Sequence, residues 1–162
     1  MLISITVRRG GREIACVNAL NEAVIARRAD GDIASTALYC DGTAVCEYRG
    51  DGLIIATPTG SSAYCMSAGG PILDTKLEAF CVCPICPHSL GAKAMVFSAN
   101  SVIEAVCRSE RGGNDILLAD GRAVTELLAG DTVTVTRSEK AIRLIRIKKD
   151  AFYETLYKKF VQ

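Results

Sequence analysis

The stretch DGLIIATPTGSSAYCMSAGGPI, residues 51–72, gathers most of the side chains suited to holding a polar ligand. An apolar run ends at Pro58, and Thr57, Thr59, Ser61 and Ser62 supply hydroxyls that donate or accept hydrogen bonds. Gly60 gives the loop backbone freedom, and Ser61 or Ser62 is placed to cap a helix over AYCMSA. A capped helix start presents unpaired N–H groups and a partial positive charge, which suit phosphate or the polar groups of a nucleotide. Tyr64 offers a flat face and a phenol beside such a ligand, and Gly69-Gly70-Pro71 then terminates the helix. By residue type alone the stretch reads equally as an ordinary capped helix after a buried strand, and both readings stay open.

A second grouping suggests metal chemistry. Cys81, Cys83, Cys86 and His88 form a C-x-C-x-x-C-x-H array, and thiolates and imidazole are zinc ligands. The cluster is compact, whereas structural zinc sites usually draw their ligands from two separated knuckles. Cys81 and Cys83 also fall in a strand-like run, which Pro84 and Pro87 stiffen, so no metal is expected. His88, the only histidine, has no recognised nucleophile arrangement beside it and reads as a structural group at a bend.

The elements that must position these residues are mostly short strands. LISITV ends at Gly10-Gly11, and EIACVNALNEAVIAR (13–27) resumes as one long, mainly apolar run. ASTALYC and AVCEY flank Asp41-Gly42-Thr43, a hairpin signal because Asp-Gly tolerates the positive φ of such turns. LIIAT (53–57) is continuously apolar, as for a strand buried on both faces. EAFCVC, AMVF, SVIEAVC, ILLA and the alternating TVTVT follow, with turns at RGGND and Asp120-Gly121. AIRLIRIK is read as the last strand, and AFYETLYKKF as a closing amphipathic helix with Phe152, Leu156 and Phe160 near a helical period. The expected fold is mainly β with minor α: a layered, sandwich-like domain spanning 1–162, with a short helix after TPTGSSAY and another at the C-terminus.

Composition narrows the function classes. The chain has 162 residues, 49% of them hydrophobic, and a formal net charge of +1, which gives no electrostatic reason to expect nucleic acid or an anionic membrane as partner. No apolar run approaches a membrane span, and MLISITVRRGG places its charges after its apolar residues, the reverse of a secretory signal. A cytoplasmic location follows as the expectation. The eight cysteines lie mostly in strand-like runs, where reduced thiols behave as small hydrophobes.

DGLIIATPTGSSAYCMSAGGPI closely resembles the NAD kinase family signature, which runs close to DGLI-x-STPTGSTAY-x-x-SAGGP. PICPHSL (84–90), the Asn-Glu of ALNEAVI, the Asp-Gly of LADGR and the terminal FYETLYKKF match the same family in place. The resemblance covers nearly the whole chain. It implies transfer of the γ-phosphoryl group of ATP to the adenosine ribose 2′-hydroxyl of NAD, giving NADP, with Mg²⁺ accompanying ATP and assembly into homo-oligomers. It implies that Asn21 and Glu22 bond the adenosine part of NAD. Asp51, with Arg49 nearby, would hold another part, and Thr59, Ser62, Ala63, Tyr64 and Ser67 would line the nucleotide pocket. Ser62 stands where the family usually has Thr, which keeps the hydroxyl, and Arg122 stands where many relatives have Gln.

The resemblance also marks a gap. The family's catalytic aspartate lies in a Gly-Gly-Asp-Gly-Thr loop of an N-terminal α/β domain, and no such loop occurs in these residues. Asp41 in YCDGT lacks the two preceding glycines, follows the Asn-Glu motif and sits at a hairpin, so turn chemistry accounts for it. No catalytic base is therefore assigned within the chain. It reads as the substrate-binding half of an NAD kinase, inactive alone and binding NAD weakly or not at all, with either a second half or further copies as partner. The rival reading is a non-catalytic NAD(P)-binding or regulatory module.

Overall fold

The structure is a computed structural model that describes residues 1–28, 33–109, 115–143, 145 and 151–160. Among them, every strand pairs antiparallel, in two sheets. The first sheet is ordered β2 (Arg12–Ala19), β1 (Ile3–Arg9), β12 (Thr132–Arg137), β9 (Ile103–Cys107), β4 (Ala34–Cys40), β5 (Thr43–Gly50). The second is ordered β11 (Arg122–Leu127), β10 (Asp115–Ala119), β3 (Glu22–Ala26), β6 (Gly52–Ala56), β7 (Ala79–Ile85), β8 (Met95–Ser98). The expected mainly β, layered fold is what the chain adopts.

Alternation along each strand builds two cores. Ile3, Ile5, Val7, Leu38, Ile103, Val133 and Val135 of the first sheet meet Ile25, Leu53, Ile55, Phe80, Val82 and Leu117 of the second. The side chains between these, Val24, Ile54, Ala56, Cys81, Cys83 and Ile85, point to the outer face of the second sheet. There they are covered by Cys65 and Leu73 from the segment that follows β6. β6 and β7 are consequently buried at every position, which is why LIIAT carries no polar alternation.

The hairpin signal at Asp41-Gly42 is realised, and the turn expected at Asp120-Gly121 joins a second hairpin, β10–β11. Asp41 and Gly42 take φ of 50° and 75°, and Asp120 and Gly121 take 48° and 75°, the left-handed pair of a two-residue turn. The run 13–27 is not one strand: β2 ends at Ala19 in the first sheet and β3 starts at Glu22 in the second. The interruption has a specific cause. The Asp120 carboxylate captures the N–H groups of Leu20, Asn21 and Glu22, so the backbone leaves its ladder there and changes sheet. β11 was not anticipated, because RAVTEL mixes polar and apolar residues on an edge. The strand expected over 141–148 is not formed at 141–143 or 145, and its other residues, like most of RGGND, lie outside the described set. The closing helix, α2 (Ala151–Phe160), is present, with Phe152 and Leu156 half-buried. No described helix is long and apolar enough to cross a membrane.

Candidate functional site

The site forms where β3 begins and β6 ends. These strands run antiparallel with Glu22 opposite Ala56, so the Asn-Glu motif lies against the loop that leaves β6. Thr57 joins the two: its N–H donates to the Asn21 carbonyl at 2.8 Å and its hydroxyl to the Leu20 carbonyl at 2.7 Å, while Gly60 N–H donates back to Thr57 Oγ1 at 3.0 Å. The approach is so close that a Cβ on Gly60 would lie 2.0 Å from the Asn21 carbonyl oxygen. Glycine is required here by contact with backbone, not by φ.

The helix expected over AYCMSA is shorter than its pattern. A 3₁₀ turn at Gly60–Ser62 precedes a single helical turn, α1 (Tyr64–Ser67), and neither has a side-chain cap. The two serines are engaged otherwise. Ser61 is buried, donating to the Pro58 carbonyl at 2.7 Å and accepting from Leu73 N–H at 2.9 Å, which ties the loop to the segment beyond it. Ser62 is half-buried, and its hydroxyl reaches the Thr59 carbonyl at 3.3 Å. One helical turn supplies little dipole, so the loop presents hydroxyls and backbone groups rather than a capped helix start. Gly69, at φ +86°, closes α1 as expected: Gly69 N–H donates to Met66 O and Gly70 N–H to Cys65 O. Ala63, Tyr64 and Ser67 are exposed along this turn.

Glu22 is the chemical centre of the arrangement. It is 6% exposed, and its Oε2 is buried without any hydrogen-bond partner. Burial, reinforced by the nearby Asp120 charge, pushes its carboxyl above the usual carboxylate range. A buried acceptor without a donor is costly, and a ligand hydroxyl is a fitting partner. Arg122 stands two residues beyond Asp120, where β11 leaves the turn and Ala119 pairs with Ala23, and it is exposed.

Two of the expected residues lie elsewhere. Asp51 and Arg49 flank the opposite end of β6, where the chain passes from β5 to β6 between the two sheets. Five residues of strand at about 3.3 Å each put this corner roughly 15 Å from Glu22. Asp51 is not free there: Arg27 Nε donates to its Oδ1 at 2.7 Å and holds the carboxyl below its ordinary range. Asp51 N–H donates to Ile85 O, and His88 N–H to Arg49 O. The segments that carry Asn21, Glu22, Thr59, Ser62, Ala63, Tyr64, Ser67 and Arg122 therefore adjoin the Ala56 end of β6, and Arg49 and Asp51 adjoin its Gly52 end. Sequence reasoning missed Arg27 and gave Asp120 no role beyond its turn. Arg27 follows an apolar strand with no distinguishing signal, whereas the Asp-Gly of LADGR was visible. The zinc array is split: Cys81 and Cys83 are buried beneath α1, with Cys81 Sγ 3.5 Å from Cys65 Sγ, while Cys86 and His88 are exposed.

This two-sheet fold is shared with known proteins. The family described as ATP-NAD kinase C-terminal domain matches residues 20–147, and the chain belongs to that family. It is 35% identical to the NAD kinase of Lachnoclostridium phytofermentans across 99% of this chain and 58% of that protein. It is 40% identical to the NAD kinase of Thermomicrobium roseum across 98% of this chain and 54% of that protein. The chain thus spans little more than half the length of these curated relatives. Among solved structures it resembles an NAD kinase from Archaeoglobus fulgidus in complex with ATP, with a TM-score of 0.76 and 30% identity over 97% of this chain and 58% of that one. Yeast NADH kinase complexed with NADH shares the fold, with a TM-score of 0.89 at 22% identity, over 99% of this chain and 49% of that one.

Proposed function

We propose that residues 1–162 form the NAD-contacting domain of an ATP-dependent NAD kinase, which phosphorylates the adenosine ribose 2′-hydroxyl of NAD to give NADP. The observation that carries this reading is the unpartnered Oε2 of Glu22, buried beside the hydroxyl-bearing loop. A ribose hydroxyl donating to that oxygen satisfies it through a charge-assisted bond and fixes the sugar. Asn21 and Ser62 add polar contacts, and the exposed Tyr64 offers its ring to the base. Arg122 brings positive charge to the same end of β6. Asp51 and Arg49, at the far corner, serve a more distant part of an extended dinucleotide.

In-line phosphoryl transfer further requires a carboxylate at the attacking hydroxyl and charge neutralisation of the moving group. Asp41 is a poor base: its carboxylate accepts Val102 N–H at 2.8 Å at a hairpin of the other sheet, and this bond holds it below its ordinary range. We assign the base to residues outside 1–162, in an N-terminal half or a partner. Mg²⁺ would neutralise phosphate charge and arrive bound to ATP. Among the described residues no three carboxylate, cysteine or histidine groups are placed to hold a metal.

The test is NADP formation from NAD, ATP and Mg²⁺. The 162-residue chain alone is expected to show no turnover above background, and turnover is expected once the N-terminal half of a related NAD kinase is supplied. Turnover by the chain alone would place the base inside it. NAD binding with no turnover in either mixture would favour a regulatory module.

A further inference from the structure

Asp120 accepts three consecutive backbone N–H groups, from Leu20 at 2.8 Å, Asn21 at 2.7 Å and Glu22 at 3.2 Å. Its own N–H returns a bond to the Glu22 carbonyl at 3.1 Å. The contacts span about a hundred residues of sequence, so they form only when the β10–β11 turn docks on the start of β3. Three donors directed at one carboxylate define the backbone path through Asn21 and Glu22. With this anchor in place, the Glu22 side chain enters a buried position with Oε2 unpartnered.

Resting on the NAD-binding reading, we infer that Asp120 is a positioning residue for the substrate: it clamps the Asn21–Glu22 backbone and thereby keeps the Glu22 carboxylate free for the ligand hydroxyl. The clamp need not touch the ligand. Its three acceptor contacts are the reason the chain breaks strand between β2 and β3, and that break puts Asn21 at the Ala56 end of β6. The turn geometry fits the role. Asp120 sits at φ 48°, a conformation that Asp, Asn and Gly tolerate, so Asp120→Asn and Asp120→Gly keep the turn while changing the acceptor.

The titratable groups that face Glu22 are Asp120 from the β10–β11 turn and the Cys65 thiol from α1. Removing the Asp120 charge removes a like charge from beside Glu22, so Glu22 is expected to ionise at lower pH in Asp120→Asn. A purely structural turn residue, remote from Glu22, would leave that titration where it was.

The experiment is an NMR titration of the 162-residue chain, wild type beside Asp120→Asn and Asp120→Gly, followed by addition of millimolar NAD. In ligand-free wild type the amides of Leu20, Asn21 and Glu22, all bonded to one carboxylate, should share slow hydrogen exchange. That protection should weaken in both variants, with at least tenfold faster hydrogen exchange at the same amides in Asp120→Gly. The Glu22 midpoint should fall in Asp120→Asn, and the NAD affinity of both variants should drop about tenfold. Unchanged amides and an unchanged Glu22 midpoint in Asp120→Asn would overturn the inference, as would equal NAD affinity across the three proteins. If NAD binds none of them, the NAD reading fails, and the ligand-free titrations alone decide whether Asp120 clamps the motif.

Discussion

Glu22 sets two opposed requirements on one side chain: it must be buried to be a strong acceptor, and it must stay unpartnered to serve a ligand. Its ionised form is disfavoured in the folded chain, because burial and then Asp120 raise its proton affinity. The associated loss of stability is full above the raised folded value and vanishes below the unfolded value near about 4.3. Glu22→Gln is therefore expected to be at least as stable as wild type at pH 7, by up to about 1 kcal/mol, while losing the response to NAD. The stability difference should close as pH falls toward about 4. Thermal melts of both proteins between pH 4 and 8 check this, and a Glu22→Gln protein clearly less stable at pH 7 would contradict it. At this scale the sequence was informative about identity and blind to environment. The Asn-Glu pair was legible by resemblance, but nothing in ALNEAVI says that one carboxylate oxygen ends up without a donor.

Among the elements, the loop from Thr57 to Gly70 is fixed mainly by contacts to segments distant in sequence. Thr57 holds Leu20 and Asn21, Ser61 holds Leu73, and Gly60 touches the Asn21 backbone. Gly60→Ala forces a methyl into a carbonyl that cannot withdraw, at a cost of about 3 kcal/mol, and the loop's movement should abolish NAD binding with it. Ser61→Ala leaves the buried Leu73 N–H unpaired and should cost about 2 kcal/mol. Urea denaturation measures both. This layer is partly readable: the fully apolar LIIAT announces burial on two faces, and the Asp-Gly pairs announce one hairpin and one further turn. The break between β2 and β3 was not readable, because its cause is a carboxylate a hundred positions away. For the same reason the loop looked like a capped helix, when its serines bond to carbonyls and to Leu73 instead.

At the level of the whole molecule, the proposed site residues and one buried ion pair collect where the chain changes sheet. Leu20–Asn21 lies between β2 and β3, Asp51 between β5 and β6, and Asp131 between β11 and β12. The last is a structural counterpart of the other two. Asp131 is fully buried, which alone would raise its carboxyl, but the Arg9 guanidinium at 2.7 Å and Leu128 N–H outweigh burial and hold it below its ordinary range. The stabilisation is present above the unfolded value near about 3.9 and is lost as pH falls through the lower folded value. Asp131→Asn should cost about 2–3 kcal/mol at pH 7, and the gap to wild type should narrow below about pH 4, as read from urea midpoints. The sandwich-like class followed from turn spacing, but the assignment of strands to sheets did not, since antiparallel neighbours such as β1 and β12 are remote in sequence. That same topology separates Asp51 from Glu22, a distance no motif reveals.

The most direct test of this account is a residue-by-residue map of NAD binding on the 162-residue chain by NMR, at millimolar NAD. Weak binding is expected, with shifts concentrated at residues 20–22, 57–67 and 119–122 and lost in Glu22→Gln. Shifts confined to other surfaces, or a Glu22→Gln protein that responds like wild type, would contradict it.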